Sequence, residues 1–188
     1  IAALKHKVGR VHLLDANVDG ILLTELYTRD GIGCMISADA YETIRAAGVD
    51  DISGILDVIR PMEQAGILVK RSREQLELEV NRFQVFVRDQ KIIGCAALYD
   101  TADPEIGELA CLAVDPHYRT ASRGDRLFQA ITQLAKSQHK KKLLVLTTQT
   151  TDWFRERGFV DADIAALPEN KKQVYNHKRN SKIMFKTL

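Results

Sequence analysis

Residues 108–128 read ELACLAVDPHYRTASRGDRLF. The first third is an apolar strand carrying one acid, Glu108. Pro116 marks a turn, and beyond it Leu127, Ala130, Ile131, Leu134 and Ala135 recur at the spacing of one helix face, predicting a helix over 122–138. A strand that turns tightly into a helix leaves backbone N–H groups unpaired at the helix start, together with about half a positive charge. Such a junction is a ready anion site. Arg119 and Arg123 bring guanidinium donors to it, and Gly124 permits close backbone approach. The junction therefore reads as a cradle for a di-anion such as a pyrophosphate. The bland alternative is a helix start with solvated arginines.

Working outward, the hairpin FQVFVRDQKIIGCAALY (83–99) alternates on both sides of a polar turn at Arg88–Lys91, which predicts antiparallel strands. IGELACLAV (106–114) is a further strand, and LLVLTT (143–148) follows the helix, with HKKK (139–142) suited to the helix's negative end. A short helix around TDWFRERG and a strand SKIMFKTL close the chain. Upstream, ETIRAA is strand-like, and Ile52, Ile55, Leu56 and Ile59 mark a helix ahead of Pro61. Ser72 and Gln75 have capping-box spacing for a second helix with Leu76, Val80 and Phe83 on one face. Before residue 41, RVHLL (10–14) and IGCMI (32–36) read as strands flanking a helix capped by Asn17 or Asp19 and ending at Gly31. The order from residue 42, β-α-α-β-β-β-α-β-α-β, is a mixed α+β pattern.

The chain of 188 residues supports one core of ordinary size, or one domain with an appended piece. With 27 basic and 25 acidic side chains the formal net charge is +2, so no global field draws it to nucleic acid or anionic lipid. The apolar share of 45% and charged share of 28% are those of a globular chain. No apolar run approaches the roughly 18–20 residues of a membrane span, and no signal peptide is visible. Cys34, Cys95 and Cys111 lie in apolar runs without CxxC spacing, which implies buried thiols in a reducing compartment and no metal. The chain begins at Ile1 without methionine, so a piece of a longer protein is expected.

ELACLAVDPHYRTASRGDRLF resembles the coenzyme A-binding core of the GNAT acetyltransferases: a strand ending V-x-P-x-(Y/F)-(Q/R), then x-x-G-x-(G/A). Arg119 stands at the Q/R position and Gly124 at the last G/A, while Ser122 replaces the first glycine. RAAGVDDISGIL resembles the family's opening strand and helix, and WFRERGF (153–159) its F-Y-x-x-x-G-F segment, with Phe154 where many members have tyrosine. Four blocks, DISGILDVIRPMEQAGILVKRSREQLE, GELACLAVDPHYRTASRGD, LTTQTTDWFRERGF and LPENKKQVYNHKRNSK, further resemble the bacterial N-acetylglutamate synthase family. RVHLLDANVDGILLTELYTRDGIGCMI (10–36) resembles the end of the amino-acid-kinase-like domain that precedes the acetyltransferase domain there.

The resemblance implies a remnant of that kinase-like domain over residues 1–40 and a GNAT domain over 41–188. The fold it implies is a mixed, mostly antiparallel sheet with splayed central strands, the third and fourth, flanked by helices. It implies acetyl-CoA as cosubstrate, L-glutamate as acceptor, a cytoplasmic setting, the opening step of arginine biosynthesis and homo-oligomerisation of the full-length enzyme. Cys111, Leu112 and Ala113 would line the pantetheine arm, the amides of Cys111 and Ala113 as donors. Arg119, Ser122, Arg123, Gly124 and Asp125 would hold the pyrophosphate, and Phe154 would lie beside the acyl carrier. Glu108 would draw the amine proton, directly or through water, and Thr147 would orient water or the leaving sulfur. Arg71 and Arg179 would hold carboxylates with Ser181 as a further donor, Lys70 and Lys182 being neighbours that could substitute. Two other readings stay open: an acetyltransferase of another amine, though a polyamine site calls for acids where this chain offers KRSR and HKRNSK, and a non-catalytic coenzyme A sensor.

Overall fold

A computed structural model describes residues 8–28, 31–37, 41–119 and 122–188. The chain divides into two compact units, Ile1–Glu42 and Thr43–Leu188.

In the first unit, strands β1 (Arg10–Leu13) and β2 (Cys34–Ser37) pair antiparallel. Helix α1 (Ile21–Tyr27) lies between them in sequence and buries none of its residues. It starts later than Asn17 or Asp19 would place it, with Gly20 at the cap in the left-handed region. Asn17 is occupied elsewhere: its main-chain and side-chain N–H groups both donate to Asp15 Oδ1. The Glu25 carboxylate ties the unit together, accepting from the amides of Ile32 and Gly33 at 2.8 Å each.

The second unit is built on β3 (Glu42–Ala46), β4 (Phe83–Arg88), β5 (Lys91–Asp100), β6 (Ile106–Val114), β7 (Lys142–Thr147), β8 (Val160–Ala162) and β9 (Lys182–Thr187), in the sheet order β3-β4-β5-β6-β7-β9-β8. Pairs β4–β5, β5–β6, β7–β9 and β8–β9 are antiparallel, while β6–β7 is parallel. The β4–β5 hairpin turns through Asp89 and Gln90, both with positive φ, the combination that matches the strands' twist. Helix α2 (Ile52–Gln64) buries Ile52, Ile55, Leu56, Val58 and Ile59 and ends one turn past Pro61. Helix α3 (Arg73–Glu79) opens on the expected capping box: Gln75 N donates to Ser72 Oγ and Ser72 N to Gln75 Oε1. Phe83 is not on its face but begins β4. Helix α4 (Arg123–Ser137) packs Leu127, Phe128, Ile131 and Ala135 into one core with Phe86, Ile93 and Leu98. A second core joins α2 and Leu76 to Val85, Cys95 and Tyr99. Helices thus cover both faces of the sheet.

Three features position the site. After α5 (Thr151–Glu156) the chain forms β8 and α6 (Glu169–Gln173), neither of which the sequence pattern announced. Strands β6 and β7 pair only from Ile106↔Lys142 to Glu108↔Leu144, although β6 runs on to Val114 and β7 to Thr147. The splay therefore lies between the fourth and fifth strands of this sheet; the third and fourth, expected to part, pair from Gly94↔Val114 to Asp100↔Gly107. Within that pairing the register moves from Ala97↔Ala110 to Cys95↔Ala113, so two residues of β6, Cys111 and Leu112, face one of β5. Cys111 has φ +51° at this bulge.

Candidate active site

Parting β6 from β7 leaves main chain outside any strand pairing beside a groove of about 370 Å³. Asp115 N donates to Ile93 O, and Ala113 lies opposite Cys95. By antiparallel alternation residues 113 and 115 turn their amides toward β5, and Leu112 and Val114 turn theirs toward the open side. Both Leu112 and Val114 line the groove, and Ala113 does not. The floor is apolar, from Leu109, Val145, Leu146 and Phe154, with Met62, Ile67 and Leu68 on the opposing wall. At its far end stand Arg119, Ser122, Gly124 and Asp125, where α4 begins. Ser122 caps this helix at φ +52°, a conformation glycine adopts without steric cost. A Cβ on Gly124 would meet only Trp153, at an ordinary 3.6 Å.

Next to the groove, and sharing Ala110 as a wall, is a polar pocket of about 210 Å³. Lys70, Arg71 and Lys171 set three cations against the carboxylates of Glu79 and Glu108. Glu108 is nearly buried at 12% side-chain exposure, and its Oε2 contacts the Lys171 ammonium. The Tyr99 hydroxyl donates to Glu79 Oε2 at 2.6 Å. Burial, then that hydrogen bond, raises the phenol above its ordinary pKa. Burial works against the Arg71 charge, yet the ionisable groups around it, Cys111, Tyr99 and Glu79, favour the cation and its pKa is raised. The main chain of Arg71 is fixed by a bond to Glu63 Oε1 at 2.9 Å. The strand turn at Glu108–Cys111 is thus where an open main-chain edge, an acid and a cationic pocket meet.

Residues 52–159 match the family model described as Acetyltransferase (GNAT) family. The chain belongs to the GNAT family. It is 50% identical over 188 residues to the amino-acid acetyltransferase of Escherichia coli K12, covering 100% of this chain and 42% of that protein. The amino-acid acetyltransferase of Pasteurella multocida is 53% identical over 188 residues, with 100% and 43% covered. The crystal structure of N-acetylglutamate synthase from Neisseria gonorrhoeae with coenzyme A and L-arginine superposes at TM-score 0.89 and 42% identity, covering 100% of this chain and 42% of that one. Its complex with coenzyme A and N-acetyl-glutamate gives 0.77 at 42% identity, covering 100% and 44%. The GNAT chain thus spans less than half the length of these relatives.

Against this GNAT frame the expected site residues fall into groups. Glu108 and Arg71 come together in the polar pocket, and Cys111, Leu112, Arg119, Ser122, Gly124, Asp125, Thr147 and Phe154 line the groove. Two expectations need correcting. Ala113 turns its amide into the β5 ladder, so Val114 takes its place on the open edge. The Arg123 side chain is buried, donates to Tyr118 O at 3.2 Å and stacks by that ring, so it braces the turn and does not line the groove. The amides of Thr120 and Ala121, part of the expected cradle, lie outside the described residues. Asp125 accepts from Arg157 Nε at 2.5 Å, which offsets its charge beside the helix start. Thr147 Oγ1 donates to Gln149 O and accepts from Gln149 N, fixing the turn after β7. Arg179 donates from one nitrogen to Gly66 O and Ile67 O, at 3.3 and 2.7 Å, while its Nε is buried without a partner. Ser181 lends its carbonyl to the Tyr175 hydroxyl at 2.7 Å. Burial pushes the Cys111 thiol up to about 11, which leaves it packed and un-ionised.

Sequence reasoning missed Lys171, Tyr99 and Glu79. Tyr99 could have been found, because hairpin register sets it across from Glu108. Lys171 sits on the unannounced α6, and in a run of charged and amide residues nothing distinguishes it from a solvated lysine.

Proposed function

We propose that the chain is the acetyltransferase part of an N-acetylglutamate synthase, moving the acetyl group of acetyl-CoA to the α-amine of L-glutamate. The observation that carries this reading is the junction at β6, where the unpaired amides of Leu112 and Val114 adjoin a pocket holding one nearly buried acid and three cations. A pantetheine arm would lie along the open edge as an added strand, with its pyrophosphate at the start of α4 near Arg119 and Gly124. The thioester carbonyl would then meet a main-chain amide at the bulge, which stabilises the oxygen as negative charge develops.

In the reaction Glu108 takes a proton from the substrate ammonium, directly or through water. The freed amine attacks the thioester carbon, its nitrogen gives up a second proton to solvent as the C–S bond breaks, and the coenzyme leaves as thiolate and is protonated. Phe154 has no hydroxyl to supply that proton, and the Thr147 hydrogen is engaged by Gln149 O, so solvent is the proton source in this scheme. Thr147 acts by fixing the turn that borders the sulfur. Arg71 and Arg179 hold the two carboxylates with Ser181 as a further donor; Arg179, tied to Gly66 O and Ile67 O and not on the wall of the polar pocket, must turn to reach the substrate. Holding amine and thioester in contact supplies much of the rate, about 7–11 kcal/mol at best.

The same reading includes a cytoplasmic enzyme opening arginine biosynthesis, residues 1–40 as the tail of a kinase-like domain, and a homo-oligomeric full-length protein. Among the described residues no helix is long and apolar enough to cross a membrane. The test is thiol release from acetyl-CoA across a panel of amino acids, polyamines and peptide N-termini. Glutamate should be the preferred acceptor, and Arg71→Ala should weaken its use by about 10- to 150-fold, the worth of one charged hydrogen bond, while coenzyme affinity holds. Preference for a polyamine or peptide, or no turnover with any acceptor despite coenzyme binding, would overturn the proposal.

A further inference from the structure

We infer that Lys171 reads the α-carboxylate of the acceptor by exchanging partners with Glu108, so that the pair recognises an α-amino acid rather than any amine. This rests on the function proposed above and adds a specificity-determining residue to it.

The contact between Lys171 Nζ and Glu108 Oε2 is sheltered, with side-chain exposures of 19% and 12%. Lys171 is also held in place. Its helix α6 follows Leu167, which is 3% exposed in the core with Ile106 and Leu144. Asn170 anchors the same helix across the sheet by accepting from Ala102 N at 2.9 Å. The ammonium lies 5.8 Å from the Tyr99 ring centre, on the wall of the polar pocket.

An ammonium against a carboxylate is the charge complement of an amino-acid zwitterion. The substrate ammonium must reach Glu108 to lose its proton, and there it displaces the Lys171 ammonium. An α-carboxylate hangs on the same carbon as that amine, so it arrives beside the cation just displaced. Lys171 then passes from one carboxylate to another with little change in burial, and its charge is never left unpaired, which would be the costly outcome. An amine without an α-carboxylate must break the Glu108–Lys171 pair and gives Lys171 nothing in return.

The experiment compares L-glutamate with 4-aminobutyrate, which is glutamate lacking only the α-carboxylate, in the wild-type chain, Lys171→Met and Lys171→Arg. Each compound is measured as substrate by kcat/KM, or as competitor by its inhibition constant where turnover is too slow. In Lys171→Met, kcat/KM for glutamate should fall roughly 10- to 150-fold, chiefly through KM, with 4-aminobutyrate unchanged or improved, and Lys171→Arg should recover most of the loss. Equal losses on both compounds would make Lys171 a mere prop for Glu108, and no loss on glutamate would make it a bystander; either overturns the inference and leaves the substrate proposal standing. A wild-type chain that acetylates other amines but not glutamate overturns the substrate proposal and this inference with it.

Discussion

Glu108 and Cys111 lie three positions apart on β6 and contribute in different ways, one by its carboxylate and the other by its backbone. A residue other than glycine at φ +51° stores strain of about 1–3 kcal/mol. The surrounding ladder and the Cys95 thiol, which donates to Cys111 O at 3.7 Å, hold it there. That strain aims main-chain donors at the groove, while Glu108 faces the adjoining pocket. The base role is tested by Glu108→Gln, which keeps the shape and an acceptor for Lys171 but removes basicity. Turnover at saturating coenzyme should fall by about 10²–10⁴ near neutral pH and recover in part as pH rises, because free amine then comes from solution. A variant within a few-fold of wild type across neutral pH would leave the proton to water or another group.

Among the elements, the passage from β6 into α4 was the most legible, because strand, turn and helix each carry their own period and the helix start explains the small residues. Gly124→Glu tests it. A Cβ there meets only an ordinary contact with Trp153, and replacing glycine inside a helix gains up to about 1 kcal/mol in propensity. The variant should therefore fold at least as well as wild type, while the added carboxylate at the anion site raises the acetyl-CoA KM tenfold or more; unchanged coenzyme affinity would move the pyrophosphate elsewhere. The α2 face, the Ser72–Gln75 cap and the β4–β5 hairpin were equally readable, since each rests on spacing within a dozen residues. What stayed hidden depends on partners distant in sequence. Strand β8 has three residues, too few to show a period, and exists through its pairing with β9. Helix α6 has five and is fixed by Leu167 and Asn170. Arg123 looked like a phosphate ligand because sequence gives no direction for a side chain, and Tyr118 captures it. Ala113 and Val114 exchanged places because a one-residue bulge reverses which amides face outward.

Across the second unit, the sheet is two ladders, β3 to β6 and β7 to β8, joined along only Ile106↔Lys142, Gly107↔Leu143 and Glu108↔Leu144. Beyond those pairs the wedge is bordered by five elements: the segment after α2, β6, the start of α4, the end of β7, and α5. A coenzyme lying in the wedge would touch both ladders and supply strand-like partners to the amides of Leu112 and Val114, while Val114 O already accepts from Arg119 Nε at 3.4 Å. Ligand that binds only the folded form stabilises it by about 2.7 kcal/mol at a hundredfold excess over Kd, so coenzyme A should raise the urea midpoint measurably. The location of the gain is the sharper test. Hydrogen exchange should slow at the amides of Leu112 and Val114 and in the first turn of α4 when coenzyme A is added. Amides at 89–90 of the hairpin, outside the wedge, should exchange at the same rate with and without it. Ala113 serves as an internal control: paired with β5 in either state, its amide should start protected and change least of the three. Protection that appears at Ala113 but not at its two neighbours would reverse the strand's assigned facing, and with it the path of the pantetheine arm.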